Sequence, residues 1–163
     1  MDFNLDKPLS TRIEAWGKPH YKLWYFFAVQ LINVYVIAWV ALGLLGWLAW
    51  WVLPLIAFSS WILTISTQAI VGRARPKFEE KTGYKMWWRT YSLPSGHATI
   101  SAAVATVILL QVHFPNPLIL VSLAILFVIA EMLIGLGRIV VGVHYFGDVL
   151  VGFVLGIGFG VMY

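Results

Sequence analysis

Long apolar stretches alternate with short polar ones along this chain, and the apolar stretches have the lengths of membrane spans. Between Lys22 and Arg73 lie about 50 uncharged residues. A helix needs about 20 apolar residues to cross a bilayer. The run therefore predicts two helices, roughly 22–43 and 47–71, joined by a tight turn in "LGLLGW" around Gly43 to Gly46. Pro54 falls in the first turns of the second helix, where a missing N–H is tolerated. A polar segment follows over 72–94, "GRARPKFEEKTGYKMWWRTYSLP". It holds most of the remaining charge, and its Trp87 and Trp88 favour the head-group region, so it reads as an interfacial loop. Helices at 95–113, 118–136 and from 145 onward complete the pattern, with "FPNP" turning the chain between the first two of them. The expectation is an all-α integral membrane protein. About five transmembrane helices form one domain over 1–163, with an N-terminal surface segment over 1–21.

Composition strengthens that expectation. Hydrophobic residues make up 61% of the chain and charged ones 11%, against about 45–50% and about 25% in soluble domains. The absence of cysteine excludes disulfides and thiolate metal sites. The stretch "MDFNLDKPLS" has two aspartates and no basic n-region, so it does not read as a signal peptide. A pI near 9.5 suits anionic partners such as membrane lipid head groups or phosphorylated substrates. The basic residues are few and scattered among apolar helices, so no nucleic acid is expected. Gly152, Gly156 and Gly160 form a small-xxx-small ridge on the last helix. Its usual meaning is close packing within the chain, and a homodimer through that face is the alternative.

The charges are not spread evenly. With five spans, the N-terminus, the 72–94 loop and the junction before the last helix share one end of the bundle, and all eleven Lys and Arg lie there. That end carries three clusters. His144 and Asp148 are four apart, so on a helix they share a face. A carboxylate on one imidazole nitrogen would orient the other and make the histidine a usable nucleophile; a plain polar pair capping the last helix is the alternative. Ser95, Gly96 and His97 open the third helix, where free backbone N–H groups and a positive dipole end suit a phosphate. Ser95 is also an ordinary N-cap, while His97 is placed to serve as a general acid. Arg75 and Arg138 are forked donors matched to phosphate oxygens. Arg73, Lys77, Lys81, Lys85 and Arg89 read as interfacial. Glu131, inside the fourth helix, reads as bracing an arginine of the site, and Gln30 and Asn33 as making interhelical hydrogen bonds.

The motifs "RP", "PSGH" and "R-x5-H-x3-D", in this order and between membrane spans, resemble those of the type 2 phosphatidic acid phosphatase superfamily. The resemblance covers most of the chain. It implies that His144 attacks phosphorus to form a phosphohistidine, that Asp148 orients it, and that His97 protonates the leaving group. It further implies that Arg75, Arg138, Ser95 and the Gly96 backbone hold the phosphate oxygens, with no metal or other cofactor. The chain departs from the family pattern at two of these motifs. Gln68 stands where the family has a lysine, seven residues before Arg75, and two helical turns would put both on one face. Gly137 stands where a serine usually precedes the arginine.

The resemblance implies a multi-pass inner-membrane enzyme acting on a lipid phosphate, with its site facing the periplasm. The positive-inside rule alone would put the charged end in the cytoplasm. Lipid A 1-phosphate is the favoured substrate, which would make the reaction a lipopolysaccharide modification. Undecaprenyl diphosphate and phosphatidylglycerophosphate are the alternatives. An inactive lipid-binding or scaffold relative is the alternative of another class.

Overall fold

A computed structural model describes residues 5–76, 91–114 and 116–163. The expected interfacial placement of Trp87 and Trp88, and of Lys77, Lys81, Lys85 and Arg89, lies outside these residues. Among the described residues there is no strand. The helices are α1 (Lys7–Gly17), α2 (Tyr21–Val29), α3 (Asn33–Leu44), α4 (Val52–Val71), α5 (Gly96–Gln111), α6 (Pro117–Val140) and α7 (Phe146–Met162), with a 3-10 turn over Lys18–His20 between α1 and α2. The stretches Lys7–Leu44, Val52–Val71 and Pro117–Val140 are long and apolar enough to cross a membrane. Helices α5 and α7 are apolar too but have 16 and 17 residues, or about 25 Å of rise each.

The first apolar run is less regular than its composition suggests. Instead of one helix over 22–43, the ladder tightens at Gln30, where Asn33 N–H donates to the Gln30 carbonyl at 2.9 Å and Val34 N–H to that of Leu31 at 3.1 Å. The Asn33 side chain donates to Gln30 Oε1 at 2.8 Å. The two amides expected to link helices therefore bond each other across this break. Helix α6 starts with Pro117 behind an Asn116 cap that accepts from Leu118 N–H at 2.8 Å. It continues to Val140 rather than ending near 136, so Arg138 sits in its last turn.

Helix α5 forms the centre of the bundle. Its middle, 101–105, is buried on all sides, and small residues dominate its buried positions, among them Ala98, Thr99, Ala102 and Ala103. Helix α7 lies against it along the glycine ridge. A Cβ on Gly156 would fall on the Thr99 carbonyl and within 2.9 Å of Ala102 Cβ. One on Gly160 would come within 2.8 Å of the Ala103 carbonyl. The ridge is thus filled by α5 of the same chain and is not free for a homodimer. At the other end of α5, Ile56, Val107, Ile108 and Ile134 join a continuous core with Tyr35 and Phe127, whose rings stack at 5.4 Å. Exposed Leu126, Met132, Val154 and Met162 point outward, as lipid-facing side chains do.

Among the described residues, Glu131 braces no arginine. It accepts hydrogen bonds from the Tyr35 hydroxyl on α3 and from Ser101 Oγ on α5, the latter at 2.8 Å. The reason is reach: Arg138 lies seven residues further along the same helix, about 10 Å away, while two hydroxyls face the carboxylate directly. Gly137, the position where a serine was expected, lies against α2. A Cβ there would come within 2.9 Å of both Ala28 N and the Trp24 carbonyl, so the close crossing of α2 and α6 leaves no room for a side chain.

The expected surface segment is helical. Helix α1 presents exposed residues on most of its circumference but buries Ser10 and Gly17. It docks against the end of α6 and the start of α7, with Gly17 pressed on the Val140 side chain.

Candidate active site

The site is built from four chain ends that meet at the charged end of the bundle. Helix α4 stops at Val71 because Gly72 adopts a left-handed conformation, φ 64°, which glycine reaches without a Cβ clash. Gln68 and Arg75 therefore do not share a helical face, contrary to their spacing. Gln68 stays inside the bundle, 5% exposed, and donates Nε2 to the Pro94 carbonyl at 2.8 Å. It holds the turn that precedes α5 instead of pointing at a phosphate.

Past Gly72 the chain is tied to the segment that leads into α5. Ser92 N–H donates to the Arg73 carbonyl at 2.8 Å, and Ser92 Oγ to the Ala74 carbonyl at 3.1 Å. The Ser92 carbonyl is left facing His144, 2.9 Å from Nδ1. A carbonyl can only accept, so Nδ1 carries the proton and Nε2 presents a lone pair. Arg75 Nη1 lies 3.2 Å from that Nε2 and 3.3 Å from the Val143 carbonyl. His144 is buried. Burial, then the charges of Arg75 and Arg138, push its pKa down to about 4 against the pull of Asp148. The imidazole is neutral near pH 7, and its Nε2 lone pair accepts from Arg75.

Asp148 is not the group that fixes the His144 ring. Its Oδ2 is 3.7 Å from Nδ1, beyond hydrogen-bond length. His144 precedes α7 rather than lying on it, so the four-residue spacing does not stack the pair. The fully buried Asp148 instead caps its own helix, accepting from Tyr145 N–H at 2.8 Å, and pairs with Arg73 Nη1 at 2.7 Å. It acts on His144 as a nearby negative charge.

Expected at the interface, Arg73 is 7% exposed and lies between Asp148 and Asp6. Both carboxylate bonds raise its pKa against the effect of burial. Asp6 comes from the residue before α1 and also accepts Gly147 N–H at 2.7 Å. Ser10 accepts Phe146 N–H at 2.9 Å. Neither residue carries a motif, and neither could be found by spacing; only the docking of α1 brings them in. The Ser92 carbonyl is equally invisible in a sequence, because every residue has one.

The remaining expected residues converge. Ser95 is the N-cap of α5, its N–H donating to the Asp148 carbonyl at 2.9 Å. The amides of Gly96, His97 and Ala98 follow in the first helical turn, where no intrahelical acceptor exists. His97 lies within electrostatic range of Arg138, His144 and Arg75. Arg138 Nη1 reaches the Ala28 carbonyl at 3.4 Å. Ser95 Oγ and Arg138 Nε are buried without a hydrogen-bond partner among the described residues. A cavity of about 270 Å³ opens beside His144, bordered by Lys7, Glu14, Pro76 and Tyr145. No group of three or more His, Asp or Glu suited to a metal occurs among the described residues.

Arranged this way, two guanidiniums and a helix N-terminus gather around a neutral imidazole. Two solved structures share the architecture of the chain. LpxE of Aquifex aeolicus aligns with a TM-score of 0.69 and 26% identity, over 99% of this chain and 95% of that one. A transmembrane PAP2 type phosphatidylglycerolphosphate phosphatase from Bacillus subtilis aligns with a TM-score of 0.68 and 22% identity, over 96% of this chain and 81% of that one. The PAP2 superfamily profile matches residues 48–163, which include α4 to α7, and the chain therefore belongs to the PAP2 superfamily and has the fold of its membrane phosphatases.

Proposed function

We propose that the protein hydrolyses a lipid phosphate through a phosphohistidine on His144. The observation that carries this reading is the state of His144: neutral, its Nδ1–H fixed on the Ser92 carbonyl, its Nε2 lone pair beside Arg75. Nε2 attacks phosphorus, the bond to the leaving oxygen breaks, and His97, which enters the step as an imidazolium facing the anionic phosphate, gives that oxygen its proton. Water then attacks the phosphohistidine and loses a proton to His97. The P–N bond breaks and its electron pair returns to Nε2. Arg75, Arg138, Ser95 Oγ and the Gly96 amide hold the phosphate oxygens. The two groups left unpartnered among the described residues, Ser95 Oγ and Arg138 Nε, each gain an acceptor that way. Phosphoryl transfer is mostly positioning and charge stabilisation, and two guanidiniums supply that charge, so the reaction runs without a divalent metal.

The favoured substrate is lipid A 1-phosphate. The chain matches LpxE of Aquifex aeolicus over nearly the full length of both. Phosphatidylglycerophosphate is the alternative supported by the Bacillus subtilis neighbour, and undecaprenyl diphosphate remains a third. The site faces the periplasm from the inner membrane. The chain lacks cysteine, so a single cysteine in place of Thr82 reports the side cleanly by impermeant labelling.

The deciding assay is phosphate release from these lipids by purified protein, with and without chelator. His144→Ala is expected to abolish turnover, and His97→Ala to slow it by about 10²–10⁴-fold. Turnover that survives His144→Ala overturns the mechanism. No turnover of any lipid phosphate makes the chain a lipid-binding relative, and loss of activity with chelator removes the metal-free reading.

A further inference from the structure

Arg73 is one cation held between two anions. Its Nη1 lies 2.7 Å from Asp148 Oδ1 and 3.2 Å from Asp6 Oδ2, and its Nη2 pairs with Asp6 Oδ1. Its guanidinium also stands over the Tyr145 ring, 4.3 Å from the centroid. Counted together, the three groups carry a net charge of about −1. The edge of this cluster nearest the site is Asp148 Oδ2, 3.7 Å from His144 Nδ1.

That charge is needed where it stands. When Nε2 attacks phosphorus, the imidazole becomes positive. Its other charged neighbours, Arg75 and Arg138, are positive already. If Arg73 belonged to Asp148 alone, the pair would be neutral and would offer little to an imidazolium. We propose that Asp6, delivered by the N-terminal helix, is a positioning residue of this site: by taking a share of Arg73 it leaves Asp148 negative toward His144. The proposal rests on the reading of His144 as the nucleophile.

The groups facing His144 from each element fit this role. Helix α5 contributes His97, α6 contributes Arg138, and the segment after α4 contributes Arg75, with Arg73 behind Asp148. Helix α7 contributes Asp148 and its N-cap Tyr145. From α1 come Asp6 and, at the rim of the cavity, Lys7 and Glu14. Among the described residues, Asp6 and Asp148 both pair with Arg73. Asp6 is ionised at neutral pH: burial raises its carboxyl, but the Arg73 and Gly147 hydrogen bonds outweigh that and hold it below the usual range.

Asp6 also has a plain structural duty, because it and Ser10 cap the start of α7 in trans. Two variants separate the roles. Asp6→Asn keeps the size and an acceptor for Gly147 N–H, since asparagine caps as well as aspartate, and removes the charge. Ser10→Ala removes a cap and no charge. The His144 ring is titrated by NMR in detergent-solubilised, histidine-labelled full-length protein, and kcat/KM is followed against pH on a lipid phosphate. Asp6→Asn is expected to move the His144 titration, and the acid limb of kcat/KM, to lower pH by several tenths of a unit up to about one unit, with kcat about tenfold down. Ser10→Ala is expected to lower thermal stability and leave both titrations in place. Superimposable His144 titrations in wild type and Asp6→Asn overturn the proposal, as does an equal shift in Ser10→Ala. If the wild type turned over no lipid phosphate, the functional reading would fall, and the NMR comparison would still decide whether Asp6 sets the charge at His144.

Discussion

Along its length, helix α7 lies on α5 through Gly152, Gly156 and Gly160, backbone against backbone, with no charge involved. At its start, the same helix is held by Asp6, Ser10 and Arg73, whose hydrogen bonds and ion pairs come from other parts of the chain. The two regions differ in what they tolerate. A contact made by shape fails when atoms are added. A contact made by charge fails when a partner is removed or a proton arrives. The site is placed where the two regions join: the shape contact sets the distance between the α5 N-terminus and α7, and the charge cluster sets the electrostatics of His144.

Each region can be broken separately. The largest effect is expected from Gly156→Leu, whose added atoms meet the Thr99 backbone and Ala102, so the helices must part. Size-exclusion chromatography in detergent should show no monodisperse folded protein. Gly158→Leu, with nothing within 4 Å of its added Cβ, should behave as wild type. Equal behaviour of the two would mean that the ridge does not set the helix spacing.

Next comes Arg73→Ala, which leaves the fully buried Asp148 without its cation. Removing one partner of a buried pair costs about 3–5 kcal/mol. Thermal unfolding in detergent should show a large drop in midpoint, with a smaller one for Arg73→Lys, which keeps the charge but loses the fork. Equal stability of Arg73→Ala and wild type would show that the cluster does not hold α7.

The smallest effect is that of pH. The folded His144 titrates near 4, below the unfolded value of about 6.5. Below about pH 6.5 the unfolded chain binds a proton that the folded chain does not. This contribution to stability is complete above that pH and is lost as pH falls toward 4, up to about 3 kcal/mol in all. Asp6, whose carboxyl is lowered, adds a loss of the same sign at still lower pH. Hydrogen exchange should report opening at 5–17 and 141–148 before the α5–α7 contact, and His144→Gln should flatten the acid slope between pH 6.5 and 4. An unchanged slope in that variant would assign the acid sensitivity elsewhere.

The helices were legible because their lengths answer to the bilayer and their ends to local chemistry. Pro117 behind Asn116, and Ser95 before Gly96, mark starts in any context. The glycine ridge was legible as close packing because a four-residue spacing puts small residues on one face. The break at Gln30 was not, because two amides bonding locally look the same as two amides reaching across. The site was legible as a set of residue types and only partly as an arrangement. The spacing of Gln68 and Arg75 pointed to a shared face, and a left-handed Gly72 separated them. The spacing of His144 and Asp148 pointed to a bonded pair, and the helix began between them.

The sequence by itself therefore determined the membrane bundle, its charged end, and which histidines, arginines and helix start are candidates for an anion site. These follow from local periodicity and from the chemistry of single side chains. The tertiary structure alone decided how they are wired. It gave His144 a main-chain carbonyl as its partner, gave Arg73 two carboxylates to share, moved Gln68 from the anion to the Pro94 carbonyl, and brought Asp6 across from α1. Hydrogen bonds and ion pairs depend on distances of a few ångströms between residues far apart in the chain, and no spacing along the chain encodes those.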